Sequence, residues 1–348
     1  MPIHRSLLAA LATASCAALG ACTAVPGNSS SSTMTHHSAA TSTFCMGRFL
    51  IDVPVGSTLS GGNYKYDFIR IEPVKAMTNE EFEKEVGKRE SDLRSAKNKK
   101  TQQSMLLQAV QHENGTRMLA SWEVDASTAE IRIWGYRWIN GHRFLLRDNV
   151  DDDKQELGVN RVQEALSRLR PRADTDTDTD IPVDPGFCFA GGFIANPRWR
   201  NEEASLDIDI AGHPDAFVSV WIYPLASHKH DKPLLDRMGG MAQFLGNLAT
   251  SVRVLRKGDR QVGPYPGQEY LATAPGSNGM RSHAFVWETQ GDGTLATPAI
   301  KIELTTGYHD GKGNQQKTSL TDQEAMKLWD DVLNSFRLRP VSQPVPPA

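Results

Sequence analysis

Phe44-Cys45-Met46-Gly47-Arg48-Phe49-Leu50-Ile51, with Pro54 shortly after it, recurs as Phe187-Cys188-Phe189-Ala190-Gly191-Gly192-Phe193-Ile194, with Pro197 after it. A chain that repeats itself in this way is constrained to a fold built from two related units. Two further pairs follow in the same order. Gly115-Thr116-Arg117-Met118-Leu119-Ala120-Ser121 resembles Gly267-Gln268-Glu269-Tyr270-Leu271-Ala272-Thr273, and the endings Leu166 to Pro171 and Leu333 to Pro340 correspond. Three matches in one order argue for tandem duplication. Between the copies lies Ala173 to Asp184, with the run Asp174-Thr175-Asp176-Thr177-Asp178-Thr179-Asp180. That run lacks the turn glycine and closing glutamate of a calcium loop, so it reads as a solvated acidic linker. The domain boundary is placed there, giving units at 44–172 and 185–340 and a tail at 341–348.

Each unit shows strands, a helix, a strand meander and a closing helix. Leu206, Ile208 and Ile210 alternate with Asp207 and Asp209 at the strand period and lead into a second run, Phe217 to Tyr223. Thr78 with Glu81 has the spacing of a capping box ahead of Phe82, Val86 and Leu93, and Thr321 with Glu324 repeats it ahead of Ala325, Leu328, Trp329, Val332, Leu333 and Phe336. Pro233 leads into a further apolar stripe through Leu234, Leu235, Met238, Ala242, Leu245 and Ala249. Asn114-Gly115 and Asn140-Gly141 are hairpin-turn pairs. The expected class is α+β: two tandem, structurally similar domains, each an antiparallel sheet with two helices. Trp134, Tyr136 and Trp138 alternate along one strand and fit a buried sheet face, an exposed aromatic strip being the alternative.

The N-terminus reads as an address. His4 and Arg5 precede a run of Leu, Ala, Thr and Ser from Leu7 to Leu19, too short to span a bilayer and followed by Leu19-Gly20-Ala21-Cys22. That ending matches the lipobox of bacterial lipoproteins. Residues 1–21 are expected to be a signal peptide and Cys22 the lipidated residue, an ordinary signal cut elsewhere being the alternative. Thr23, rather than Asp, favours the outer membrane. Residues 22–43 are small and polar without apolar period and read as a flexible tether, reaching about 25 Å as a coil. The expected location is the periplasm, held to the membrane by lipid.

With Cys16 in the signal and Cys22 lipidated, Cys45 and Cys188 remain as a pair in an oxidising compartment. A bond between them is the expected state and two buried thiols the alternative. The net charge of −3, with acids and bases well mixed, gives no footing for nucleic acid. No nucleophile elbow, zinc-helix motif or phosphate-binding loop is present. His228-Lys229-His230-Asp231 fits a capping turn better than a metal site, and His309-Asp310-Gly311-Lys312-Gly313 and His112-Glu113-Asn114-Gly115 fit loops. No metal, cofactor or small-molecule substrate is expected, and no enzyme activity.

The paired F-C-x-G and F-C-x-x-G openings, the Gly267 to Thr273 segment, then Phe285-Val286-Trp287-Glu288 with Gly291, Pro298 and Leu304-Thr305-Thr306-Gly307, resemble the two-domain immunity proteins that protect bacteria from lipase effectors of the type VI secretion system. The resemblance runs from Phe44 to Pro340. It implies a periplasmic antitoxin that binds a cognate phospholipase and occludes its active-site entrance. An envelope lipoprotein that binds a surface or ligand, without a toxin partner, is the alternative, and an enzyme with unrecognised residues a third. As the contact, the loop with Arg198, Trp199, Arg200, Glu202 and Glu203 is singled out, because Trp with Arg is the composition of binding hot spots and the sheet pattern does not require the loop.

Overall fold

In the computed structural model, residues 40–172, 181–224, 232–238, 252–275, 281–307 and 317–342 are described. Cys22 and most of the tether, the Asp174 to Asp180 run, His228 to Asp231, the apolar stripe beyond Met238 and the His309 to Gly313 turn lie outside these residues.

The first half contains β1 (Thr41–Met46), β2 (Phe49–Pro54), β3 (Thr58–Tyr66), β4 (Ile69–Ile71), β5 (Lys75–Ala76), α1 (Asn79–Ser95), β6 (Leu106–Gln111), β7 (Arg117–Trp122), β8 (Glu130–Ile139), β9 (His142–Asp151), α2 (Gln155–Ser167) and β10 (Leu169–Pro171). The second contains β11 (Gly186–Phe189), β12 (Gly192–Ala195), β13 (Glu202–Asp209), β14 (Ala216–Tyr223), β15 (Arg253–Val262), β16 (Tyr265–Pro275), β17 (Arg281–Thr289), β18 (Ala299–Thr306), α3 (Asp322–Ser335) and β19 (Arg337–Leu338). Residues 234–238 are also helical.

One antiparallel sheet runs through both halves in the order β15-β16-β17-β18-β14-β13-β3-β4-β9-β8-β7-β6, with β5 added against β9. The halves meet where β13 pairs with β3, from Glu202 opposite Tyr66 to Asp209 opposite Thr58. Read outward from that seam, the two arms have the same strand order.

Local signals place the helices. Thr78 Oγ1 accepts from the Glu81 N–H (3.2 Å) while the Glu81 carboxylate accepts from the Thr78 N–H (2.8 Å), and Thr321 with Glu324 repeats the box at α3. Phe82 and Val86 of α1 cover Leu119, Trp134, Tyr136 and Leu145 on one face of the sheet. The strand trio is therefore the underside of a helix: Trp134 and Tyr136 are buried, and Trp138 donates its indole N–H to the Met77 carbonyl (2.9 Å). On the opposite face α2 presses Val162 and Leu166 onto β8 at Gly135. A Cβ there would stand 2.4 Å from Val162 Cγ1, so only glycine admits the helix.

The main core is shared between the halves, because each half's first hairpin sits on the other half. Strand β2 pairs with β19, Leu50 opposite Arg337, and Phe49 stacks on Phe336 (centroids 5.1 Å) beside Tyr265 (5.9 Å). Reciprocally, β12 pairs with β10, and Phe187 and Phe189 pack against Tyr66 (5.6 Å) and Phe144 (6.4 Å). The two hairpins cross at Cys45 and Cys188, which form a disulfide with Cα atoms 5.7 Å apart. There the Gly47 N–H donates to the Cys188 carbonyl (2.8 Å), and the Cys188 N–H returns to the Gly47 carbonyl (2.7 Å).

One of the three internal matches fails in detail. Strands β7 and β16 hold corresponding places in the two arms, yet Leu119 faces α1 whereas Leu271 belongs to the main core. A slip of one residue turns every side chain of a strand to the other face, so Gly115 to Ser121 and Gly267 to Thr273 do not correspond residue by residue. The endings hold in part: Leu166 and Leu333 are both fully buried, but Arg170 stands opposite Phe193 as Arg337, not Arg339, stands opposite Leu50, so the shared Leu-Arg-Pro is offset by two residues.

Candidate partner interface

The loop from Asn196 to Asn201 is held by a residue of the other half. Arg48, in the turn of the first hairpin, donates from Nε and Nη2 to the Glu202 carboxylate (2.8 and 2.7 Å), from Nη1 to the Asn196 carbonyl (3.2 Å) and from Nη2 to the Arg198 carbonyl (2.6 Å). Its guanidinium also lies over the Trp199 ring, 4.6 Å from the centroid. Asn196 ties the loop to β3 by donating to Tyr66 Oη (2.5 Å).

This arrangement corrects the premise that the fold does not require the loop. Glu202 is only 7% exposed and belongs to β13; burial pushes its carboxyl above the usual range while Arg48 pulls the other way. Trp199 is half-buried against Phe49. Of the five residues singled out, Arg198, Arg200 and Glu203 reach the surface, and Glu203 is paired with Lys65 across the seam (2.7 Å). Removing one member of a buried pair strands its partner's charge. Glu202→Gln is therefore expected to cost about 3 kcal/mol, and the double change Arg48→Met with Glu202→Leu to recover most of that, read as unfolding free energy in denaturant.

Beside the loop stands a turn that the sequence reading missed. Asp67 and Phe68 join β3 to β4 with φ of 50° and 70°, and the Asp67 N–H donates to the Asn201 carbonyl (2.7 Å). Phe68 is 59% exposed, with the Arg161 guanidinium over its ring at 5.4 Å. Arg161 is set by Asp148, which accepts from its Nε at 2.9 Å and is itself buried. One helical turn earlier Leu157 is 57% exposed. Arg200 lies 3.8 Å from both Asp67 and Glu164, and its buried Nε meets no hydrogen-bond acceptor among the described residues. Tyr66, Asp67, Arg161, Glu164, Arg168 and Arg200 thus line one recess, at the seam and next to the loop. Tyr66-Asp67-Phe68-Ile69 carries no glycine or asparagine, and Asp67 alone, followed by an aromatic, is too weak a signal to mark a turn.

Among the described residues no group of His, Cys, Asp and Glu is arranged to hold a metal ion. His283, among the described residues, resembles a member of a catalytic relay: its Nδ1 meets Thr306 Oγ1 (2.7 Å) and its Nε2 meets Asp322 Oδ1 (2.9 Å). Thr306 is fully buried, so no substrate reaches the hydroxyl. Burial, with Arg281 and Arg253 nearby, pushes His283 down to about 4. As pH falls below about 6.5 the unfolded chain takes up a proton that the folded chain refuses, so this contribution is intact above that pH and is lost on the way to about 4. The loss amounts to up to about 3 kcal/mol. Denaturation midpoints at pH 7.5 and 4.5 are expected to diverge less in His283→Gln than in the natural chain.

The comparisons with known proteins agree with this architecture. Residues 42–172 match the model of the N-terminal domain of Tle cognate immunity protein 4, and residues 180–341 match that of its C-terminal domain. No curated protein matches the chain. Among solved structures, the apo immunity protein TplEi of the T6SS from Pseudomonas aeruginosa superposes with a TM-score of 0.74 at 27% identity, over 87% of this chain and 98% of that one. A chain of the Tle4-Tli4 complex gives 0.75 at 27% identity over the same shares. TplEi from the same organism complexed with the "L" peptide gives 0.69 at 26% identity, over 86% of this chain and 99% of that one. Matched through both of its halves, this chain belongs to the Tle cognate immunity protein 4 family.

Proposed function

We propose that this chain is a periplasmic lipoprotein that binds a cognate type VI secretion lipase and inhibits it by covering its active-site entrance. The observation that carries the reading is the match of both halves to one immunity family, together with likeness over 87% of the chain to a partner in the solved Tle4-Tli4 complex. The signal-like residues 1–21 and the lipobox cysteine Cys22 support export and anchoring, and the Cys45–Cys188 disulfide fits an oxidising compartment. Inhibition is by binding and requires no chemistry of the chain's own. We also read the halves as copies of one sheet-and-two-helix unit, with the segment from Leu234 as the counterpart of α1; the matching strand orders support this.

Protection from an enzyme that turns over demands nearly complete occupancy. A nanomolar Kd, about −12 kcal/mol, and an interface of about 1,600 Å² or more are the expected scale. The test mixes the chain from residue 22 onward, with Cys22→Ser to prevent lipidation, with its purified cognate type VI secretion lipase. A stable complex that no longer hydrolyses phospholipid vesicles is expected. Absence of a complex, or a complex that still hydrolyses them, overturns the reading.

A further inference from the structure

Two hairpins of this protein make the same kind of turn with opposite choices of residue. Both residues of a two-residue hairpin loop of this type need positive φ, which asparagine and glycine adopt readily and an aromatic does not. Between β8 and β9 the chain uses Asn140 and Gly141, at 50° and 81°. Between β3 and β4 it uses Asp67 and Phe68, at 50° and 70°, and leaves the ring 59% exposed. Neither core packing nor turn geometry asks for phenylalanine there. A strained backbone kept at a surface aromatic points to a task outside the fold.

Its surroundings define what the ring could meet. Phe68 is exposed, the Arg161 guanidinium backs the ring, and Leu157, one turn of α2 before Arg161, is exposed as well. Aromatic residues and arginine at the centre of a contact carry most binding energy. An enzyme that draws acyl chains out of a bilayer must present an apolar entrance, with polar groups fixing orientation around it.

Resting on the function proposed above, we propose that the Asp67-Phe68 turn is the plug of the complex: Phe68, backed by Arg161, enters the apolar lipid entrance of the lipase. The recess is on the seam, so the plug is steadied by both halves, through Asn201 and Arg200 from one side and α2 from the other.

The test uses Phe68→Asn in the chain from residue 22 onward carrying Cys22→Ser, against the purified cognate lipase. Asparagine suits the left-handed backbone, so the melting temperature is expected to stay level or rise, while the Kd weakens by at least about 30-fold, the scale of a lost hot spot. Phe68→Gly gives the same loss, Phe68→Trp keeps tight binding, and Val124→Asn, on another exposed apolar residue, leaves the Kd unchanged. If the natural chain inhibits and Phe68→Asn inhibits equally well, the plug is wrong and the immunity reading stands. If the natural chain forms no complex, both fall. Vesicles of phosphatidylethanolamine and phosphatidylglycerol make a further arm: binding of the natural chain to them that is lost in Phe68→Asn, with lipase affinity retained, assigns the turn to the membrane and overturns the proposal.

Discussion

Expressed alone, residues 40–172 are expected to remain unfolded, and residues 181–342 likewise, while the two segments expressed together assemble. The reciprocal hairpins make this so. Without the second half, Tyr64, Tyr66 and Phe144 lose the cover of Phe187 and Phe189, and Phe49 loses Phe336 and Tyr265. Strand β3 also becomes a bare edge along the whole of its pairing with β13. Each large side chain returned to water costs about 1.5–3 kcal/mol. Five or six of them together reach about 10 kcal/mol, the size of a domain's entire stability. Circular dichroism of each segment is expected to show no cooperative melt, and the co-expressed pair to co-purify and to run as one band on a non-reducing gel, joined through Cys45 and Cys188. A sigmoidal unfolding transition from either segment alone contradicts this account.

The same exchange explains what sequence reading could and could not reach. Caps are local, so Thr78 with Glu81 and Thr321 with Glu324 were legible. Asn140-Gly141 was legible too, since the residues that make the turn are the ones that favour it. The apolar runs around Phe49 and Phe187 put both residues inside, but they carry no information about whose core receives them. Glu202 looked like a surface charge because the group that neutralises it, Arg48, lies 154 residues earlier in the chain. The Asp67-Phe68 turn stayed hidden for the opposite reason: Phe68 disfavours the conformation it adopts, and pattern rules detect agreement rather than conflict. The candidate interface is drawn from these two blind spots, a loop whose anchor is remote and a turn whose residue is unsuited to it.

Loss of the disulfide is expected to lower the unfolding free energy by about 3–5 kcal/mol without changing the fold. The bond spans 143 residues, and closing a loop of that length removes up to about 5 kcal/mol of conformational entropy from the unfolded chain. Its position raises the stakes, because it joins the two exchanged hairpins at their crossing and thereby keeps each near the half it must cover. Cys45 and Cys188 are 4% and 0% exposed, so substitution to alanine also leaves small voids; reduction during denaturation measures the bond without them. Guanidinium titrations of the natural chain with and without dithiothreitol, beside Cys45→Ala with Cys188→Ala, separate the two effects. A common midpoint for oxidised and reduced chain shows that aromatic packing alone holds the exchange. A midpoint that falls under reduction, with secondary structure unchanged in water, shows the bond acting on the unfolded state. In that case a chain made in a reducing compartment enters its partner's path with less stability than an exported one, and the export proposed for residues 1–21 becomes part of how the inhibitor reaches full strength.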